Sequence, residues 1–242
     1  MNAQLEARNL SKSFRGLRAV ADASFEVEAG AIVGLIGPNG AGKTTIFNMV
    51  AGMHAPDGGE IHFAGQRIDG MRPDQVCAAG IGRTFQIVKP FPGLSVLDNV
   101  IVGALQRSRT MAEARRYASG ILERLGLAVK ASQLASTLTL PDRKRLEVAR
   151  ALATRPRLLL LDEVMAGLRP TECNQMVETF RDLNRGDGLT ILLIEHVMQA
   201  VMALALRVVV LHHGEVIASG TPEQVVRDPS VLDCYLGEEA EI

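Results

Sequence analysis

The chain alternates between short unbroken runs of apolar residues and longer stretches in which apolar residues recur every three or four positions. Unbroken runs predict strands buried on both faces, and they occur at 31–36, 158–161 and 190–194. Helical spacing follows the first two of these runs, at 46–51 and 171–183. Buried strands that alternate with helices are typical of a largely parallel α/β sheet, in which ligands bind at the carboxyl ends of the strands.

Two regions depart from this rhythm. Near the N-terminus, short runs at 5–10 and 23–27 with a loop at 11–16 predict an antiparallel β part. In the middle, consecutive amphipathic segments without a strand between them predict an inserted helical subdomain, with helices at 95–105, 111–125 and 141–154. The remaining predicted elements are a turn at 56–59, strands at 60–63 and 80–86, a helix at 73–79, a closing hairpin of 208–211 with 216–218, and short helices at 222–227 and 230–236.

Composition excludes several classes of protein. The 242 residues are 47% hydrophobic and 22% charged, which is typical of one or two globular domains with a sizeable core. The net charge of −1 gives no basic field that would favour nucleic acid. Cys77, Cys173 and Cys234 are too far apart in sequence for a metal or redox motif, and they suit a reducing compartment. No signal peptide and no apolar run near ~18 residues is present, so we expect a soluble chain, which leaves docking onto a membrane protein open.

One motif stands between the first buried strand and the first helix: Gly37-Pro38-Asn39-Gly40-Ala41-Gly42-Lys43-Thr44-Thr45. Strand, glycine-rich loop, Lys-Thr and helix is the context of a P-loop, which binds the phosphates of a nucleotide through backbone N–H groups and the helix N-terminus. In this pattern Lys43 supplies a point charge to the β- and γ-phosphates, Thr44 offers a hydroxyl to Mg²⁺, and Thr45 hydrogen-bonds a phosphate. The competing interpretation, a glycine-rich turn that binds nothing, is disfavoured by the flanking strand and helix.

Polar residues end or follow three of the predicted strands and are the second group of candidates. Asp162 follows a hydrophobic strand in the manner of a Walker-B aspartate and would hold Mg²⁺, directly or through water. The adjacent Glu163 can orient and deprotonate an attacking water. The alternative for this pair is a helix-capping turn. Gln86 is the last residue of the strand predicted at 80–86, and His196 follows the strand at 190–194. A lone histidine is more often structural. Phe14, upstream of the P-loop, could stack on adenine or belong to a small apolar cluster, and its spacing does not distinguish these.

Taken in order, these motifs and a Leu-Glu-Val-Ala-Arg-Ala-Leu helix at 146–152 resemble the ATP-binding subunit of an ABC transporter over nearly the whole chain. The resemblance is strongest to importers of the branched-chain (hydrophobic) amino acid type, through stretches at 25–45, 82–86 with 91–92, 94–100, 194–198 and 220–223. It implies a P-loop NTPase core with a mostly parallel sheet, arranged as a single ATP-binding domain over 1–242. Its nucleotide-binding core is 1–86 and 155–242, and its helical subdomain, with a degenerate signature motif, is 87–154.

The resemblance also implies roles for individual residues. Phe14 stacks on adenine, and Gln86 links the metal, the attacking water and the membrane subunit. Glu163 is the general base, and His196 contacts the γ-phosphate across a dimer. Thr139, in the signature motif, contacts the ATP bound to the partner subunit.

Cofactors and partners follow from the same resemblance. In this family two ATP-binding subunits close head-to-tail on two ATP molecules with Mg²⁺, and closure drives two multi-span membrane permease subunits. A soluble binding protein delivers the substrate, and nucleic acid takes no part. The ATP-binding subunits lie peripherally on the cytoplasmic face of the inner membrane. The transported molecule is not indicated, because the ATP-binding subunit does not touch it.

Two departures from the family pattern affect the dimer. The signature, which resembles Leu-Ser-Gly/Tyr-Gly-Gln in the family, is here Leu138-Thr139-Leu140-Pro141-Asp142. Thr139 keeps the hydroxyl, whereas Pro141 has no N–H to donate and Asp142 is expected to place a negative charge near the partner's γ-phosphate. Arg169 stands where the family usually has Asp or Asn, in a loop that signals between the two ATP sites. These departures predict an asymmetric heterodimer with a different ATPase chain, in which the site completed by residues 138–142 is weak.

Three other functions compete with an importer ATPase. A soluble ABC-type ATPase that acts on a protein assembly is disfavoured by the importer-like stretch after Gln86. A nucleotide sensor that does not hydrolyse ATP is disfavoured by Glu163. A small-molecule kinase would need neither His196 nor the helix at 146–152.

Overall fold

The computed structural model describes residues 3–239, which form two β-sheets and nine α-helices. Within that part of the chain, no helix combines the length and apolar character needed to cross a lipid bilayer. The larger sheet contains β3 (Ile32–Ile36), β6 (Ile81–Arg83), β7 (Leu158–Asp162), β8 (Thr190–Ile194), β9 (Arg207–His212) and β10 (Glu215–Gly220). Its strand order is β10-β9-β3-β8-β7-β6, and every pair is parallel except β9 with β10. The predicted α/β sheet and closing hairpin are therefore confirmed.

The smaller sheet is antiparallel, as predicted, and its strands are longer than the sequence suggested. It contains β1 (Ala3–Phe14), β2 (Leu17–Glu28), β4 (Gly58–Phe63) and β5 (Gln66–Arg67) in the order β2-β1-β4-β5. The predicted loop at 11–16 is wrong for its first four residues. Three of these four side chains are polar, but pairing with β2 and β4 places their backbone in a strand. Only Arg15 and Gly16, both with positive φ, form the turn.

The helices follow the sequence prediction more closely. They are α1 (Lys43–Val50), α2 (Pro73–Ala79), α3 (Val96–Ala104), α4 (Met111–Arg124), α5 (Leu140–Ala153), α6 (Pro170–Asp187), α7 (Met198–Leu204), α8 (Pro222–Val225) and α9 (Pro229–Glu239). Only α7 was not predicted, because six of its seven residues are apolar and no polar face marks a helical period. The predicted strand at 80–86 ends at Arg83, so Gln86 lies on the loop that follows β6.

Two apolar clusters hold the fold together, one on each face of the larger sheet. Along β7, Leu159 and Leu161 point into the cluster that includes α3, α4, α5 and α6, whereas Leu158 and Leu160 point into the cluster that includes the antiparallel sheet and α1. Burial on both faces explains why this strand is an unbroken leucine run. The helices α3, α4 and α5 pack directly on the larger sheet. This packing brings residues of α5 close to Asp162, at the end of β7.

Candidate functional site

The predicted P-loop connects β3 to α1, and its backbone requires glycine. Gly37 has φ 147° and Gly42 has φ 102°, in the region that L-residues with a Cβ rarely adopt. A Cβ at Gly37 would lie 2.0 Å from the carbonyl oxygen of Leu211, and one at Gly42 would lie 2.4 Å from that of Ala19. The loop is therefore pressed between β2 and β9, and the glycines are needed for both conformation and space.

The same loop concentrates positive charge at its centre. Lys43 is 6% exposed, and its ammonium donates to the carbonyl oxygens of Gly37 at 2.6 Å and Pro38 at 2.7 Å. No acidic residue lies in the first turn of α1. The ammonium, the helix N-terminus and the backbone N–H groups of the loop together form an anion site of the kind that binds phosphate.

A cavity of about 370 Å³ opens over this loop and brings together most of the residues predicted from sequence. It is lined by Ala19, Asn39, Gly40, Ala41, Gly42, Lys43, Thr44, Thr45, Gln86, Glu163 and His196. Residues from five separate parts of the chain thus surround one cavity at the carboxyl ends of the parallel strands.

Glu163 joins the polar residues on the far side of this cavity. Its Oε2 accepts a hydrogen bond of 2.7 Å from Nε2 of Gln86, and its Oε1 lies 3.0 Å from Nε2 of His196. Sequence reasoning placed all three residues near the phosphates but did not predict their direct contacts. A carboxylate held between an amide and an imidazole, facing a phosphate site, is positioned to accept a proton from water.

Asp162 ends β7 and has the environment expected of a cation ligand. Its carboxylate is 2% exposed, and Oδ2 accepts a 3.0 Å bond from Nη2 of Arg83. Burial raises the pKa of Asp162, and the Arg83 guanidinium opposes that shift. Oδ1 has no hydrogen-bond partner among the described residues. A buried carboxylate oxygen without a donor fits coordination to a metal ion.

The three residues predicted to hold Mg²⁺ share one cavity. Thr44, Gln86 and Asp162 all line a space of about 420 Å³ next to the P-loop cavity. Across residues 3–239, no group of three or more His, Cys, Asp or Glu side chains is arranged as a metal site. A hydroxyl, an amide and a single carboxylate fit Mg²⁺, which usually keeps water and phosphate oxygens as its other ligands.

Arg83 is a site residue that the sequence reasoning missed. It lies at the end of β6, donates to Oδ1 of Asn48 at 2.7 Å as well as to Asp162, and stacks 5.2 Å from the Phe85 ring. The one available signal was an arginine in the middle of the strand predicted at 80–86.

Phe14 lies apart from the phosphate cavity. Its ring is 38% exposed, meets the ring of His54 edge-on at 5.3 Å, and has Nζ of Lys12 at 5.7 Å. Phe14 is not among the residues that line the P-loop cavity. Phe14 belongs to neither of the two apolar clusters, and adenine stacking stays a prediction.

The degenerate signature lies at the start of α5, where Thr139 is the N-cap and Pro141 occupies the second helical position. The expectation that Asp142 presents a negative charge at the partner's ATP needs correction. Its carboxylate is buried, accepts bonds from Lys130 and from the Thr139 hydroxyl at 2.7 Å, and lies 3.8 Å from Arg145. Burial alone would raise the pKa of Asp142, but these donors hold it below its ordinary value. The charge is thus compensated within the chain.

Arg169 is the N-cap residue of α6 and lies on the surface. Its backbone N–H donates to the carboxylate of Glu172 at 2.8 Å. Its role between two ATP sites stays a prediction.

Comparison with known proteins supports the family suggested by the motifs. The family model described as "ABC transporter" matches residues 20–166, and that described as "Branched-chain amino acid ATP-binding cassette transporter" matches residues 215–241. The high-affinity branched-chain amino acid transport ATP-binding protein LivG of Escherichia coli (strain K12) is 40% identical over 249 aligned residues, which cover 97% of this chain and 98% of LivG. The lipopolysaccharide export system ATP-binding protein LptB of Haemophilus influenzae is 36% identical over 97% of this chain and 98% of LptB.

A solved structure shows the same fold. The ADP conformation of MJ1267, an ATP-binding cassette of an ABC transporter, superposes with a TM-score of 0.89 at 29% identity. The superposition covers 98% of this chain and the whole of that structure.

Proposed function

The chain belongs to the ABC transporter family as an ATP-binding subunit, an ATPase coupled to transport, and from this premise we propose that it powers an importer of branched-chain amino acids or a related small solute. One observation carries the choice of substrate class. The match to the branched-chain amino acid family model covers residues 215–241, which include β10 and the two last helices. The name of the LivG relative points to the same class of substrate.

In the proposed reaction, the P-loop binds the β- and γ-phosphates of ATP, and the Lys43 ammonium exchanges its carbonyl partners for phosphate oxygens. Thr44, Gln86 and Asp162 would hold Mg²⁺, which would neutralise phosphate charge when bound. Glu163 takes the proton from the attacking water, with His196 and Gln86 fixing the direction of its carboxylate.

The proposed partners are those of an importer. A second ATP-binding subunit closes head-to-tail against this one, Phe14 stacks on adenine, and Thr139 contacts the ATP held by the partner. We infer that the partner subunit is a different chain, because Pro141 removes a backbone donor from the signature. Two multi-span permeases, served by a soluble binding protein, would anchor the pair on the cytoplasmic face of the inner membrane.

Co-purification in mild detergent tests this assignment. The tagged chain is isolated from its native membranes, its partners are identified by mass spectrometry, and the complex is reconstituted for uptake of labelled leucine. Two multi-span proteins, a second ATPase and ATP-dependent uptake are the expected result. Recovery of soluble assembly factors, or of the chain alone, would contradict an importer and favour a soluble ATPase.

The similarity to LptB supports a second candidate, export of a lipopolysaccharide-type molecule. The same preparation distinguishes the two functions. Recovery of two copies of this chain with lipid-export components, and no leucine uptake, would replace the importer with the exporter.

A further inference from the structure

The backbone at Glu163 is in an unusual conformation for a residue with a side chain. Its φ is 50°, in the left-handed region, directly after β7. Such a conformation is strained for a residue with a Cβ and persists only where surrounding contacts hold it. The direction of the Glu163 carboxylate, between Gln86 and His196, depends on this turn.

Four hydrogen bonds hold the turn: one joins the N–H of Ala166 to the carbonyl oxygen of Glu163 at 3.3 Å, and two of the other three involve buried charged side chains. The N–H of Glu163 donates to the carbonyl oxygen of Ile194 at 2.9 Å. Nζ of Lys144 donates to the carbonyl oxygen of Glu163 at 2.9 Å. Oε1 of Glu195 accepts from the N–H of Met165 at 2.8 Å.

Both charged residues are almost fully enclosed. Lys144 is 5% exposed and Glu195 is 2% exposed. Burial raises the pKa of Glu195 to about 7, although the Met165 N–H and the Lys144 charge oppose the shift. Burial likewise lowers the pKa of Lys144, against the attraction of Glu195 and Glu163. Two buried ionisable groups are costly to the fold, and neither lines the P-loop cavity.

The two residues approach the turn from different parts of the molecule. Glu195 follows β8 in the parallel sheet, next to His196. Lys144 lies on α5, five residues after Thr139, in the helical segment. The turn that carries Glu163 is therefore completed only when α5 is docked on the sheet as it is here.

We propose that Lys144 and Glu195 are positioning residues for ATP hydrolysis, which hold the Glu163 turn so that its carboxylate faces the phosphate site. Because Lys144 belongs to α5, the helix that begins at the signature motif also sets the geometry of this chain's own Glu163. The inference rests on the proposed role of Glu163 as general base.

Steady-state kinetics of the assembled complex test the proposal. Lys144→Met keeps the length of the side chain but removes its donor, and Glu195→Leu removes the acceptor of the Met165 N–H. Each is expected to lower kcat about tenfold or more, with KM for ATP and the nucleotide Kd changed less than twofold. Lys144→Arg and Glu195→Gln, which keep a donor and an acceptor respectively, should recover most of the activity. The matched controls are Arg116→Met and Glu123→Gln, exposed on α4, which should leave kcat unchanged.

The outcomes separate this inference from the role of Glu163. If Glu163→Gln stops hydrolysis but Lys144→Met and Glu195→Leu retain wild-type kcat, the positioning role is wrong and the general base stands. If Glu163→Gln itself keeps wild-type kcat, the proposed base is wrong. A loss of kcat that matches a loss of nucleotide affinity, or that the conservative variants fail to recover, would indicate a merely structural role and overturn the inference.

Discussion

The P-loop site and the start of α5 are the two regions of this chain that face phosphate in the proposed dimer, and they are built differently. The P-loop region has a full set of donors, with Lys43 enclosed by loop carbonyls and Glu163 bonded to Gln86 and His196. The start of α5 has lost one backbone donor at Pro141, and its acidic residue Asp142 is turned inward.

The two regions also differ in the donors and the pKa of a buried carboxylate. Asp142 accepts bonds directly from Lys130 and Thr139, so its pKa falls. Glu195, behind the P-loop site, accepts from a backbone N–H, and burial raises its pKa to about 7. At the start of α5, nearby donors therefore stabilise the charged form of Asp142. Behind the P-loop site, Glu195 is costly to ionise and lies beside the proposed general base.

The largest expected effect is on the rate of ATP hydrolysis, when the proposed general base of the P-loop site is removed. Glu163→Gln should lower the rate of phosphate release by roughly 10²–10⁴-fold, because it removes the proton acceptor, while ATP binding persists. Phosphate release and retention of ATP by the assembled complex measure this. Equal phosphate release by the variant and the wild type would favour a different base.

The next effect is the pH dependence of the unfolding free energy that Glu195 causes. The folded-state pKa of about 7 exceeds the ordinary value of 4.5, so the folded state holds this proton more tightly than the unfolded state. Stability conferred by the proton is present below pH 4.5 and is lost as the pH rises through 7. Relative to Glu195→Gln, the wild type should lose up to about 3 kcal/mol of unfolding free energy between pH 4.5 and 8.

Denaturant unfolding of both proteins across this pH range measures the difference. If the unfolding free energies of the wild type and Glu195→Gln change with pH in parallel, Glu195 does not titrate between pH 4.5 and 8. Lys144 and Glu163, the charged groups that influence Glu195 most, are unchanged in both proteins.

A smaller effect is expected at the signature. Pro141→Gly restores a backbone N–H at the second position of α5 and should raise ATP turnover of the complex by up to about tenfold, since a charge-assisted donor contributes about 1.5–3 kcal/mol. Pro229→Gly, at the start of α9, is the matched control for the loss of proline stiffness. Unchanged turnover in Pro141→Gly would mean that the missing donor is no functional defect.

The smallest expected effect is on the unfolding free energy, when the cation that compensates the Asp142 carboxylate is removed. Lys130→Met removes the cation but keeps most of the side-chain length, and it should lower the unfolding free energy by about 1 kcal/mol, since Lys130 is partly exposed. Lys130→Arg should restore stability. Equal stability of all three proteins in denaturant would show that Thr139 and Arg145 suffice to hold the carboxylate.

Much of the fold and site followed from local sequence. The parallel strands, eight of the nine described helices and the P-loop were predicted, because burial on both faces and glycine conformation leave local patterns. The extension of β1 to Phe14 was not predicted, since it depends on pairing with strands that begin at residues 17 and 58. The helix α7 was missed because its exposed face has little polar character.

The sequence by itself determined which candidate chemistry the chain carries: a phosphate loop, an aspartate proposed to bind a metal ion, and an adjacent glutamate. These depend on residue type and on neighbours within a few positions. Only the tertiary structure decided the partners of each charge, such as Gln86 with Glu163, 77 residues apart, or Lys144 with the backbone of Glu163. Hydrogen-bond partners and burial are set by packing between distant segments. For that reason the sequence did not show that Lys130 and Thr139 compensate the charge of Asp142, and Lys144 and Glu195 went unnoticed.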